Sequence, residues 1–253
     1  MTRSDRQERV EGWQQNTLEK GKIAIIGAGA LGNYVSLICA AYGVGQMDIY
    51  DFDTVEEHNL ARQIAFTEED AVRHRKKCDA LSERLKALNS KIIINGYDDE
   101  ITKDNVDMLL GMGNYDIIVD ATDNLWARYY LNKFSIENDI PLVHMGSSPT
   151  GGEVCVITRK TACLNCMNYF REIDLSAPKS CRDIPEASIA ETNAIIGGIG
   201  AGQIRMLLMK IHGQPLKIDR ILEPTYYYSV KKAWLIQIEH EKNKDCDICS
   251  KYK

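Results

Sequence analysis

The stretch Gly21 to Asp53, GKIAIIGAGALGNYVSLICAAYGVGQMDIYDFD, constrains the possible folds of this chain more than any other. Lys22 to Ile26 is an apolar strand that runs directly into Gly27-Ala28-Gly29-Ala30-Leu31-Gly32. A helix then opens, with Leu31, Val35, Ile38, Cys39 and Tyr42 at helical spacing, and a second strand, Met47 to Tyr50, ends on Asp51. Strand, glycine turn, helix and strand in this order carry the nucleotide-binding glycine spacing in its proper context. Gly27 allows the tight turn, Gly29 lets backbone N–H groups approach a phosphate, and Gly32 lets the helix pack close to the strand. The positive end of the helix dipole then faces the phosphates. Asp51 follows where an acidic side chain accepts from ribose hydroxyls. The competing reading is a tight turn beside an empty crevice.

The remaining order predicts how this unit is extended. Lys76 to Leu88 reads as an amphipathic helix, Ile92 to Ile94 as a strand, and Val106 to Leu110 as part of a helix. Tyr115 to Asp120 is a buried-type strand, Leu125 to Asn138 a helix, and Ile140 to Met145 the next strand. This alternation predicts an α/β fold with a Rossmann-like, doubly wound parallel sheet. Gly152 to Thr158 is a strand with no helix after it, and Cys163 to Ala187 reads as a long polar loop. Asn193 to Ile211 is a glycine-rich helix, and Lys217 to Leu222, Tyr226 to Val230 and Ala233 to Ile238 read as antiparallel strands. The expectation is one domain over 1–253: a helical arm at 1–20, a nucleotide-binding half at 21–150, and a second half at 151–253 that continues the sheet. Within the arm, Val10, Trp13 and Leu18 are the only sizeable apolar residues, so it is expected to lie on another surface or subunit.

Composition narrows the setting. A net charge of −5 gives no reason to expect nucleic acid. The first residues, MTRSDRQERVEGW, contain no apolar run of the kind a secretory signal has. The most apolar segment, Ala194 to Ile211, is interrupted by Gln203 and Arg205 and reads as too short to span a bilayer. Eight cysteines without a signal point to metal or thiol chemistry in a reducing cytoplasm.

Four clusters outside the glycine turn carry chemistry: Asp53 with Asn59, Arg62 and Gln63; Lys77, after the basic run Arg73, Arg75 and Lys76; Asp120-Ala121-Thr122-Asp123-Asn124, at the carboxyl end of a central strand; and two thiol hooks, Cys163-Leu-Asn-Cys166 and Cys246-Asp-Ile-Cys249. The glycine turn lacks the Lys-Ser/Thr ending of a Walker loop, so a triphosphate needs cations from elsewhere. Arg62, Lys77 and a metal at Asp123 would supply them. Taken singly, a helical Arg or Lys is more often a solvated face, and Asp123 is equally readable as the cap of the helix after it. Two Cys-x-x-Cys pairs offer four thiolates for a structural zinc ion; a redox dithiol is the alternative. Cys39 and Cys155 read as core. Cys181, between Lys179 and Arg182, is either a functional thiolate or an inert loop thiol.

Together these pieces resemble the MoeB/ThiF family of ubiquitin-activating-like adenylating enzymes. The matching residues are Arg6-Gln7, GAGALG at 27–32, DFDTVEEHNLARQ at 51–63, Lys77, DATDN at 120–124, IIGGIGAGQ at 195–203 and both thiol hooks. The resemblance implies that Gly27, Gly29 and Gly32 cradle ATP, with Asp53, Gln63 and Asn124 in the nucleotide site. It also implies that Asp51 binds ribose, that Asn59, Arg62 and Lys77 contact phosphates, and that Asp123 helps hold Mg2+. Arg6 would reach the neighbouring subunit's site in a homodimer, Cys163, Cys166, Cys246 and Cys249 would bind Zn2+, and Cys181 would act in a later thiol step. RHRK before Lys77 departs from the family's usual turn, so Lys77 is preferred to Lys76 on spacing.

The implied activity is ATP-dependent adenylation of the C-terminal glycine of a small ubiquitin-like or sulfur-carrier protein. That partner is expected to end in Gly-Gly, with the sulfur donor or conjugating protein separate and no membrane involved. Two alternatives stand beside it. A nicotinamide-dependent oxidoreductase accounts for Gly27 to Asp51 but leaves Arg62, Lys77 and both hooks without a role. A non-catalytic subunit that presents a carrier to an active partner leaves the nucleotide set without one.

Overall fold

The computed structural model describes residues 2–171, 173–175, 187–213 and 225–252. The expected strand at Lys217 to Leu222 and the loop thiol Cys181 lie outside them. Among the described residues, eight strands form one mixed sheet in the order β3-β2-β1-β4-β5-β6-β7-β8. The strands β1 (Lys22–Ile26), β2 (Gln46–Tyr50), β3 (Ile93–Tyr97), β4 (Ile117–Asp120) and β5 (Leu142–Ser148) are parallel. Whereas the outer β3 exposes Ile93, the near-continuous burial of β1, β2 and β4 suits a sheet covered on both faces: Ile23, Ile25, Met47, Ile49, Ile117 and Ile118 are fully buried. Each such side chain contributes about 1.5–3 kcal/mol relative to exposure. The strands β6 (Gly151–Ile157), β7 (Thr225–Ser229) and β8 (Trp234–Ile238) continue the sheet antiparallel. Parallel pairing ends at β5 because Pro149 and Thr150 return the chain directly, with no crossover helix.

Helices cover both faces. One face carries α1 (Gln15–Lys20), α2 (Ala30–Tyr42), α4 (Lys77–Leu88) and α7 (Ala190–His212), packed on the odd-numbered side chains of β1. The other carries α5 (Val106–Gly111), α6 (Leu125–Asn138) and both thiol hooks. A short helix, α3 (Glu68–Val72), was not expected from the sequence; Thr67 caps it reciprocally with Asp70. The third strand starts later and runs further than Ile92 to Ile94, to Tyr97, where Tyr97 stacks on Tyr50 of β2.

One expectation needs correction, and one resolves between its alternatives. The glycine-rich helix is longer than read. With 23 residues, α7 is, among the described residues, long and apolar enough by length and composition to cross a membrane. It packs instead on α2, β5 and β6, with Gln203 buried in the contact. The N-terminal arm lies, as the first of its two alternatives had it, on another surface of its own chain. Arg3 donates to the carbonyl of Leu88, Gln7 and Gln15 both donate to the carbonyl of Tyr42, and Trp13 sits edge-on to Tyr42 under Arg205.

Candidate nucleotide site and thiol centre

The glycine turn sits at the carboxyl ends of β1 and β4, the edge where open α/β sheets bind ligands. Gly27 has φ +97°, and a Cβ there would approach the Ala121 carbonyl oxygen to 2.6 Å. A Cβ on Gly32 would overlap the Gly27 carbonyl. Both glycines are therefore demanded by the fold. Gly29 differs: a Cβ there meets nothing within 4 Å. The chain leaves open space at the head of α2, where helix N–H groups lack partners. Such a cradle fits a phosphate.

Asp51 is buried, and both its oxygens are engaged by backbone: Oδ2 accepts from the Ala28 N–H at 2.7 Å and Oδ1 from the Asp53 N–H at 2.8 Å. Burial pushes its pKa above the ordinary carboxylate value, opposed by Lys77 and those N–H donors. The residue expected at the ribose thus also holds the glycine turn. Asn33 completes that brace from α2. Its amide donates to the carbonyls of Ala28 and Gly29, and its oxygen accepts from the Ala65 N–H at 2.8 Å. The sequence reading missed Asn33; the signal was a polar side chain on the buried face of an apolar helix.

Ala65 follows the segment that carries Asn59, Arg62 and Gln63. Glu57 to Asn59 form a 3₁₀ turn in which Asn59 caps back to Glu56. Arg62 donates to the His58 carbonyl at 2.8 Å. Gln63 is buried, and its Oε1 has no hydrogen-bond partner among the described residues. The bridge between Thr54 and Lys76 fixes the start of α4 beside Asp53. Lys77 then donates its N–H to the Asp53 carbonyl and its ammonium to Asp53 Oδ2, each at 2.9 Å, while only 8% exposed. Lys76 turns outward to Asp98 and the Phe52 carbonyl. The basic run thus resolves as expected for Arg73 and Arg75, which pair with acids of the surface helices.

Asn124, not Asp123, caps α6: its oxygen accepts from the N–H groups of Trp126 and Ala127. This corrects the reading of Asp123 as a cap. Asp123 is exposed and makes no side-chain hydrogen bond or ion pair among the described residues. Its turn adjoins the glycine turn through Gly27 and Ala121. An unengaged carboxylate there suits a hard cation with oxygen ligands. Arg6 is also exposed and without a side-chain partner among the described residues.

The thiol hooks meet on the other face. The Sγ atoms of Cys163, Cys166, Cys246 and Cys249 all lie within 4.8 Å of one another. Pairs stand at 3.4 to 3.8 Å, close to the spacing of about 3.8 Å set by four metal–sulfur bonds of about 2.3 Å in a tetrahedron. Asn165 and the Asn243 N–H donate to Cys246 and Cys166 sulfurs, as outer partners of a thiolate site do. Burial pushes the Cys163 thiol up to about 12, while Cys246, also penalised by burial, is drawn down to about 7 by backbone N–H groups and Asn165. A bound cation would deprotonate the whole set. No disulfide joins the described cysteines, and Cys39 and Cys155 are buried in the core as expected.

A sequence model of the ThiF family matches residues 4–248. The chain belongs to the ThiF family. The sulfur carrier protein adenylyltransferase of Thermus thermophilus is 28% identical over 241 residues, covering 93% of this chain and 84% of that protein. The adenylyltransferase and sulfurtransferase MOCS3 of Culex quinquefasciatus is 36% identical over 154 residues, 60% of this chain. That match covers 34% of the relative, so the chain corresponds to about a third of its length. Among solved structures, Escherichia coli MccB with ATP superposes with a TM-score of 0.76 at 24% identity, over 93% of this chain and 68% of that one. This last likeness concerns the fold, and it agrees with a parallel core continued by antiparallel strands. The resemblance and fold class read from the sequence are thus borne out, and the relatives named here are adenylyltransferases.

Proposed function

We propose that this ThiF-family chain adenylates the C-terminal carboxylate of a small sulfur-carrier or ubiquitin-like protein. A carboxylate oxygen attacks the α-phosphorus of ATP, the bond to the bridging oxygen breaks, and pyrophosphate leaves. The observation that carries this reading is Lys77, a nearly buried ammonium fixed on Asp53 beside a glycine turn with open space at Gly29. A triphosphate is the ligand class that uses such a cation and cradle together. Arg62 and Asn59 add donors, Gln63 offers its orphaned buried oxygen, and Asp123 offers an oxygen ligand to Mg2+. The metal supplies charge neutralisation on the leaving pyrophosphate. A hydride-transfer reading leaves Lys77 and Asp123 without work.

The carrier is assigned to the 151–253 half. Support comes from β8, whose Leu235, Ile236 and Ile238 are exposed on a strand that, among the described residues, stands at the sheet edge, a surface that partner proteins cover readily. The four thiols are assigned to Zn2+. We assign a homodimer in which each Arg6 serves the opposite site, a cytoplasmic setting, a separate sulfur donor or conjugating protein, and a later transfer role for Cys181. The test is to mix the chain with ATP, Mg2+ and carriers ending in Gly-Gly. Carrier-dependent ATP–pyrophosphate exchange and an adenylate mass on the carrier are expected. No exchange with any such carrier, alongside nicotinamide binding, would overturn the reading.

A further inference from the structure

Asp120 is fully buried, yet it is the most heavily engaged carboxylate near the nucleotide edge. Its Oδ1 accepts from the Thr122 N–H at 3.0 Å and the Thr122 hydroxyl at 2.7 Å. Its Oδ2 accepts from Arg128 Nε at 3.2 Å and pairs with His144 Nδ1 at 2.7 Å. Although burial works against ionisation, Arg128 and His144 hold its pKa down to about 2. Arg128 reaches on with Nη2 to the Thr122 carbonyl at 2.6 Å. One carboxylate therefore fixes Thr122 at its N–H directly and at its C=O through an arginine. On the other side Asn124 is fixed as the cap of α6. Asp123 is the exposed residue between two clamped neighbours.

The imidazole is one of three side chains that set this carboxylate, with Arg128 and Thr122. His144 stands opposite Asp120 in the β4–β5 register, in a strand whose other residues from Leu142 to Met145 are apolar and buried. Its own side chain is wholly buried. The Tyr169 ring meets it edge-on, with centroids 5.2 Å apart, and the Tyr169 hydroxyl bonds Glu153, whose Oε1 lies 4.0 Å from His144 Nε2. The ring is thus held so that Nδ1 faces Asp120. Without that contact, Oδ2 would answer to Arg128 alone, and the carboxylate would lose one of the four contacts that fix its plane against Thr122.

We propose that His144 is a positioning residue for the cation-binding turn: by fixing Asp120 it presents Asp123 in the geometry that takes Mg2+ with the nucleotide. This rests on the adenylation reading for its context, though the binding arm of its test does not. A buried polar pair that served only stability would, when broken, lower the melting temperature and leave cation binding alone.

The test compares His144→Leu, which removes the contact, with His144→Asn, which restores an amide donor near the Nδ1 position. Mn2+ binding to the protein with ATP, read by electron paramagnetic resonance, needs no turnover. His144→Leu is expected to weaken Mn2+ binding by about tenfold, the scale seen for outer partners of a metal ligand. The Mg2+ concentration for half-maximal pyrophosphate exchange should rise by a similar factor, with a smaller loss of rate at saturating Mg2+. His144→Asn should recover most of both. Tyr169→Phe, which leaves every donor to Asp120 in place, should shift Mn2+ affinity in the same direction by less, and it carries the test with His144→Asn if the leucine variant does not fold. Folded variants with wild-type Mn2+ affinity overturn the proposal. If the wild type binds Mn2+ with ATP but exchanges no pyrophosphate, the adenylation reading fails and the positioning of Asp123 stands.

Discussion

Lys77 grips Asp53 twice, through backbone and side chain, at 2.9 Å each. Its neighbour Lys76 spends its ammonium on Asp98 at the surface. Two adjacent lysines, identical in type, therefore occupy opposite environments because the Thr54–Lys76 bridge sets the phase at which α4 begins.

Lys77→Ala is expected to reduce carrier-dependent ATP–pyrophosphate exchange by about a hundredfold, the scale for loss of one charge-stabilising donor. Lys76→Ala should have far less effect. A larger loss from Lys76→Ala would transfer the phosphate role to the outer lysine.

The three glycines of the turn should separate into fold and ligand effects. Gly32→Ala forces its Cβ onto the Gly27 carbonyl and should lower the melting temperature. Gly29→Ala enters open space and should fold like the wild type while weakening ATP binding. Calorimetry of both variants checks this; unaltered ATP affinity in Gly29→Ala would remove the phosphate from that position.

Metal analysis should find one zinc ion per chain. Cys246→Ser should lose it and unfold at lower temperature, since structural metal binding is folding free energy. Protein purified without chelator and free of zinc would end the assignment.

Arg6 and Asp123 should complement each other between subunits. Arg6→Ala and Asp123→Ala are each expected to be inactive, and subunit exchange between them should restore activity at one site of the mixed dimer. An active monomer, or mixed dimers with no recovery, would place Arg6 outside the neighbouring site. In the same series, Asn124→Ala should lower stability by about 1 kcal/mol through loss of the cap, whereas Asp123→Ala should not.

Much of this was legible in the sequence. The glycine spacing and apolar strand runs fixed the parallel core, because each reflects a local steric or burial demand. The thiol hooks were legible as a pair, because cysteine spacing within each hook is a property of ligand geometry. His144 and Arg128 were not legible. Each is unremarkable in its own element, and only strand register and the α6 turn bring them onto Asp120. The choice between Asp123 and Asn124 as cap turned on one residue of helix phase, which sequence alone does not resolve.

The two thiol hooks also impose an order on synthesis. Cys163 and Cys246 lie 83 residues apart, with α7, β7 and β8 between them. A ribosome therefore releases one half of the proposed zinc centre long before the other half exists. Capture of the ion closes a loop whose cross-linking removes about 4.5 kcal/mol of unfolded-chain entropy in the usual polymer account. In the proposed zinc centre, the final fastening of the antiparallel half is therefore expected to wait on the late hook, after the glycine turn and its parallel strands have been synthesised. Chelation should reverse that order, with amide exchange rising in β7, β8 and the Cys163–Tyr169 segment before it rises in β1.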